Sequence, residues 1–226
     1  MNKFIIVFTF IALVGNVFGQ KTKGQVSYDV YLSSDDPQTS AYVDNMEGSI
    51  LEIYFGEGKV RSELYLENFM STTNVSIDGN DTTLTLLDGM MGKIAMKTTL
   101  EDLDDEQRLA YTERDVELVE GETKEIMGYT CKKAIVTTAD EKEHIVWYTE
   151  ELAPTYREGM YLYDEIPGVP LEMTASWGNM DMKMVAFDFS KKLKKPEKLF
   201  SMEIPKGFTL RTQEEMKQMR RGGGGN

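Results

Sequence analysis

The side chains able to do chemistry are few in kind. The chain has one His, His144, one Cys, Cys131, and no Gly-x-Ser-x-Gly elbow. Nucleophilic hydrolysis needs a base within hydrogen-bond reach of the nucleophile and a third group orienting that base. His144 stands in the run His144–Tyr148, which has strand patterning, so it reads as a structural His. Cys131 is followed by Lys132 and Lys133. Ammonium neighbours make a thiol reactive by lowering its pKa, whereas a Cys buried on a strand acts as a small apolar residue. A zinc site needs more His and Cys than the chain offers. The terminal GGGG run precedes no helix and is no phosphate loop. Asp78-Gly79-Asn80-Asp81 lacks the alternating ligands and distal Glu of a calcium loop. Among 38 acids, two lying close together are expected by chance, so a carboxylate pair assigns nothing. The expectation is a non-enzyme without cofactor or metal.

Methionine stands above background, with 15 in the chain. Met90, Met91 and Met96 lie together, and Met180, Met182 and Met184 alternate, which on a strand puts three thioethers on one face. Leu171, Met173, Ala175 and Trp177 share a face of the preceding strand. Three roles fit: ordinary core, the adaptable lining of an apolar cavity, or a soft site for Cu(I). The candidate ligand pocket is Trp147, Met173, Trp177, Met180, Met182 and Met184.

The elements that must position these residues are strands. Val26, Tyr28, Val30 and Leu32 alternate with polar neighbours. A polar loop, SSDDPQTSAYVDNMEG, leads into a hairpin about Gly56-Glu57-Gly58. Further hairpins turn at Asp78-Gly79, Asp88-Gly89 and Gly178-Asn179. The stretch Gly121–Met173 organises the rest as turn, strand, turn, strand, long loop, tight turn and strand. Pro167 and Gly168 set its last turn, Pro by presetting φ and Gly by tolerating positive φ. Leu100–Tyr111 has near-helical apolar spacing. Thr212 and Glu215 form a capping box for a last helix. About ten strands and two short helices are expected, in one domain.

The N-terminus predicts export. Lys3 precedes the apolar run Phe4–Val14, and Val17-Phe18-Gly19 allows cleavage between Gly19 and Gln20. The run is too short to span a bilayer comfortably, and no Cys sits near the cleavage point for lipidation. The division is then 1–19 signal peptide, 20–211 antiparallel β domain, and 212–226 C-terminal helix with a Gly-rich tail. A single Cys leaves no internal disulfide, so packing alone must stabilise the fold. The net charge of −13 argues against nucleic acid, and against anionic membranes by electrostatics alone. It is lopsided, since Lys191–Arg221 holds ten basic and four acidic residues. A basic tail folded on an acidic surface is the expectation.

The segments GETKEIMGYTCKKA, HIVWYTEEL, EIPGVPLEM and FSMEIPKGF resemble the exported domain-of-unknown-function 4412 family of Bacteroidetes, related to the GLPGLI family. Ile166-Pro167-Gly168-Val169 matches the centre of the GLPGLI pattern, whereas Glu165 and Pro170 depart from it. The resemblance implies a periplasmic or secreted protein and no catalytic residues to carry over. It also implies a curved antiparallel sheet or half-barrel, similar to the lipoprotein carriers LolA and LolB, with FSMEIPKGF as its closing strand. The function expected is non-enzymatic binding of a lipid or amphiphile in an apolar pocket. The alternative is an envelope interaction protein without a small ligand.

Overall fold

The computed structural model describes residues 20–105, 108–109 and 113–222. The expected signal segment 1–19 and the last residues of the Gly-rich tail lie outside them. Twelve strands form one sheet: β1 (Gly24–Ser33), β2 (Ile50–Gly56), β3 (Lys59–Leu66), β4 (Met70–Ile77), β5 (Asn80–Gly89), β6 (Gly92–Thr98), β7 (Asp115–Ile126), β8 (Tyr129–Thr137), β9 (Glu143–Thr149), β10 (Val169–Trp177), β11 (Met180–Ser190) and β12 (Thr209–Leu210). Their order is β12-β6-β5-β4-β3-β2-β1-β11-β10-β9-β8-β7. Two antiparallel meanders, β1–β6 and β7–β11, are thus joined where β1 pairs with β11. The edges do not meet, so the sheet is open.

Alternation decides the faces. On β2 and β3 the alternating buried positions are Leu51, Ile53, Phe55 and Val60, Ser62, Leu64, Leu66, with partly or fully exposed residues between them. Bulges interrupt the ladders of β1 with β11, β4 with β5, β7 with β8 and β9 with β10. Each bulge bends its strand and increases local twist, which curls the sheet. Residues as far apart in strand order as Val60 and Leu64 of β3 and Ala134 and Val136 of β8 therefore belong to one core cluster. The β7 edge, which carries Glu117, Glu120 and Glu122 around a bulge, is charged in the way exposed edges are protected.

Several expectations need correction. The polar segment after β1 is no loop: α1 (Pro37–Val43) and a 3-10 turn (Asp44–Met46) occupy it. The missed signal was Asp36-Pro37, an N-cap followed by Pro at the first helical position. Asp36 Oδ2 accepts from Thr39 N at 2.8 Å, and the turn buries Val43 and Met46. The helix expected at Leu100–Tyr111 begins as a 3-10 turn (Leu100–Asp102), and Asp105, Arg108 and Leu109 are helical; its other residues lie partly outside those described. The segment FSMEIPKGF makes no strand. After the short α2 (Pro196–Leu199), Met202, Ile204 and Phe208 instead cover a second core of Val75, Leu84, Leu86 and Ala95. The chain then adds β12 in parallel to β6. The last helix, α3 (Gln213–Gly222), starts at the capping box: Thr212 Oγ1 accepts from Glu215 N at 3.2 Å, and Glu215 Oε2 from Thr212 N at 2.8 Å.

Candidate functional site

The register places the methionines. Leu32, Val30 and Tyr28 of β1 stand beside Met182, Met184 and Ala186 of β11. On the other side Ala175 and Met173 of β10 face the same two methionines, and Val146 of β9 faces Met173. Met173, Met182 and Met184 are buried on this inner face, while Met180 is half-buried beside Trp177 at the hairpin tip. Trp177 is 47% exposed. Gly178 takes φ 59° in the turn that joins the two strands.

Trp147 stands apart from the others. On β9 the inner positions go to His144, Val146 and Tyr148, so alternation turns Trp147 outward. There it pairs in register with Lys133 and Glu172, with Lys124 Nζ 5.3 Å from its ring centre. Glu172 bridges Lys124 at 2.6 Å and Lys183 at 3.3 Å. Burial works to raise the Glu172 pKa, but the two ammonium groups outweigh it and hold the carboxyl below its ordinary value.

The inner face is filled at the end where β1 begins. The β9–β10 connection, residues 150–168, crosses it as a strap with Leu152, Leu162 and Ile166 buried. It reaches β3, where a Cβ on Gly159 would stand 2.8 Å from Val60 Cγ1. It is tied to the start of β7 by Arg114, which pairs with Glu165 at 2.9 Å and Asp164 at 3.3 Å. A bridge between Lys21 and Leu152 fastens its first residues. The sequence marked this segment as a long loop. The signal that it is core was Leu152, Tyr161, Leu162, Tyr163 and Ile166, an apolar share unusual for a solvated connection.

At the opposite end the face opens into a cleft of about 690 Å3. Its wall takes Leu32, His144, Ala175 and Met182 from the inner face, Lys142 from the residue before β9, and Asp181 and Lys183 from the alternate positions of β11, Lys183 being held by Glu172. Burial holds the His144 imidazole below its ordinary pKa; Asp140 and Asp181 oppose that and Lys142 reinforces it. The ring is therefore neutral near pH 7, one donor and one acceptor. Two hydroxyls of this wall have protein partners: Ser176 Oγ donates to Asp181 Oδ1 at 2.7 Å, and Thr174 Oγ1 accepts from Ile145 N at 3.0 Å. The arrangement can hold an apolar chain against Met182 with a polar end at the rim. Sequence reasoning missed Lys142, Asp181 and Lys183, because only the register brings them together.

Cys131 is buried in the main core, its Sγ 3.7 Å from Tyr129 O. Burial, with Glu125 next in weight, pushes its thiol up to about 12 despite Lys124 nearby. The reactive reading is thereby overturned: the thiol is buried, and Lys132 and Lys133 pair with Glu150 and Glu122 instead. The raised pKa has a consequence for stability. Above about pH 9 the unfolded chain loses the thiol proton while the folded chain keeps it. Stability should therefore fall as pH rises from about 9 towards 12, by up to about 1.4 kcal/mol per pH unit from this group. A Cys131→Ala variant should lack that component in its alkaline unfolding series. The native thiol should also resist an aromatic disulfide reagent at pH 8 until denaturant is added; prompt labelling of the folded protein would refute the assignment.

No family model matches the chain, and no curated protein matches it. Among solved structures it is similar to the LolA superfamily protein NE2245 from Nitrosomonas europaea, at 12% identity over 80% of this chain and 90% of that one, with a TM-score of 0.24.

Proposed function

We propose that this is an exported, non-enzymatic β-protein that holds the apolar part of a lipid-like or amphiphilic molecule in the rim cleft. Its membership of the exported family that its sequence resembles is part of the same proposal. The cleft's composition supports the reading: an apolar floor of Leu32, Ala175 and Met182 with Lys142 and His144 in the same wall. An amphiphile meets both needs at once, since its chain gains by leaving water and its head stays solvated beside charge. Among the described residues no helix is long and apolar enough to cross a membrane.

A second reading, an envelope interaction protein without a small ligand, is favoured by the strap, which already fills the other half of the inner face. Two measurements separate the readings. Native mass spectrometry of protein recovered from its own host should show a chain beginning at Gln20 with a lipid-sized adduct. A fluorescent fatty acid should brighten on binding, and Met182→Asp should abolish the signal while leaving a cooperative thermal transition. A host-derived chain that carries only protein partners, together with no probe binding, would decide for the second reading.

A further inference from the structure

The end of the sheet where β1 begins carries a second concavity, of about 300 Å3, whose wall includes Lys23, Gly56, Lys191, Lys192 and Leu193 with Phe200 buried at its base. It lies where β11 gives way to α2, along the run Lys191-Lys192-Leu193-Lys194-Lys195-Pro196-Glu197-Lys198. Apolar members hold the run from inside. Leu193 Cδ1 packs at Gly56, and Leu199 O accepts from Arg61 Nη1 at 3.1 Å. With those points fixed, Lys23, Lys191, Lys192, Lys194, Lys195 and Lys198 are all exposed. No ion pair among the described residues uses any of these six. The basic tail therefore does not simply fold onto an acidic surface. Lys217 does so, on Asp104 at 3.0 Å, but the lysine run does not. The acids closest in this wall and run are Glu57 and Glu197.

We propose that this end seats the protein on an anionic lipid surface, with the lysines among the head-group phosphates and Pro196 at head-group depth. Net charge of −13 does not forbid it. Charges farther than about 8 Å from the contact are screened at physiological salt, so the surface meets the local cations. A bilayer is the better fit than nucleic acid for the same reason. A plane touches one end of the molecule and leaves the acidic remainder at a distance, whereas a polyanion long enough to use all six lysines runs on past the cluster towards acid. A single free phosphate, in turn, cannot engage cations spread along eight residues of exposed chain. The contact lies at the opposite end of β1 from the rim cleft, whose wall includes Leu32 and Ser33. The proposal does not depend on the cleft reading.

The test is co-sedimentation of the full chain with vesicles of phosphatidylcholine alone or mixed equally with phosphatidylglycerol. Binding is expected only to the mixed vesicles and should weaken as salt is raised. Each Lys→Gln change in the run should lower partitioning roughly fivefold. The variant Lys191→Glu, Lys192→Glu, Lys194→Glu, Lys195→Glu should lose it, with an unchanged thermal midpoint to exclude unfolding. Equal binding to neutral vesicles, binding unaffected by the fourfold variant, or full competition by inorganic phosphate would each overturn the proposal. So would tighter binding to a short RNA duplex at the same salt.

Discussion

Gly168→Ala is expected to lower the stability of this domain by at least about 3 kcal/mol, the upper part of the range for overpacking. A Cβ at residue 168 would lie 2.2 Å from Thr149 O and 2.7 Å from Thr149 C. These are backbone atoms of β9, and Val169 is in register with Thr149 itself. A side chain could swing aside, but this backbone moves only by opening the β9–β10 ladder. Gly178→Ala is the contrast. Its φ is 59° and nothing lies within 4 Å of its added Cβ, so only the left-handed penalty of about 1 kcal/mol applies. Urea unfolding of both variants, at unchanged m-value, measures the difference. Similar small shifts for the two would show that β9 and β10 can separate at no great cost.

This glycine also shows how far the sequence could be read. The turn at Glu165–Pro170 is legible from Pro167 and Gly168, but the reason that turn chemistry suggests for the glycine is positive φ. Gly168 is not among the positive-φ residues; what demands it is the nearness of another strand. Local chemistry announces a turn, whereas a close approach depends on chain residues that only the tertiary fold brings there. The same distinction runs through the molecule. Period two exposed the strands from Val26 to Leu32 and from Met180 onwards, because burial on one face leaves that period in the sequence. Nothing periodic marks residues 150–168, so their role as filling for the curled sheet stayed hidden. Residue type alone groups Trp147 with the methionines. Its outward position follows from one residue of phase on β9, which reverses every side chain when misjudged. The wall residues Lys142 and Lys183 are distant in sequence and come to one cleft only through the pairing of β9, β10 and β11.

Met184→Asp is expected to leave little folded protein, while Met184→Leu should cost less than about 1.5 kcal/mol, as volume-conserving swaps do. Met184 is wholly buried, and its cross-strand neighbours are Val30 and Met173. A carboxylate there has no cation to pair with on those rungs. It must stay desolvated and charged or take up a proton, and either route costs several kcal/mol. That is a large share of the roughly 5–15 kcal/mol by which domains are stable. Met182, one rung nearer the cleft and lining it, is the milder site, since an Asp there lies closer to water. The pair of Asp variants therefore grades burial along β11 by the loss of melting temperature. The same residues decide the copper alternative. Successive same-face residues of a strand are roughly 6.8 Å apart along the chain, so one metal ion needs thioethers that leave their rungs and converge. Packing against Val30, Leu32, Met173 and Ala175 opposes that convergence. The expected result of titrating Cu(I) into a Cys131→Ser background is no stoichiometric uptake, with Met184→Leu indistinguishable from its parent. Tight one-to-one binding that vanishes when Met180, Met182 and Met184 are all Leu would instead make this row of thioethers a metal site.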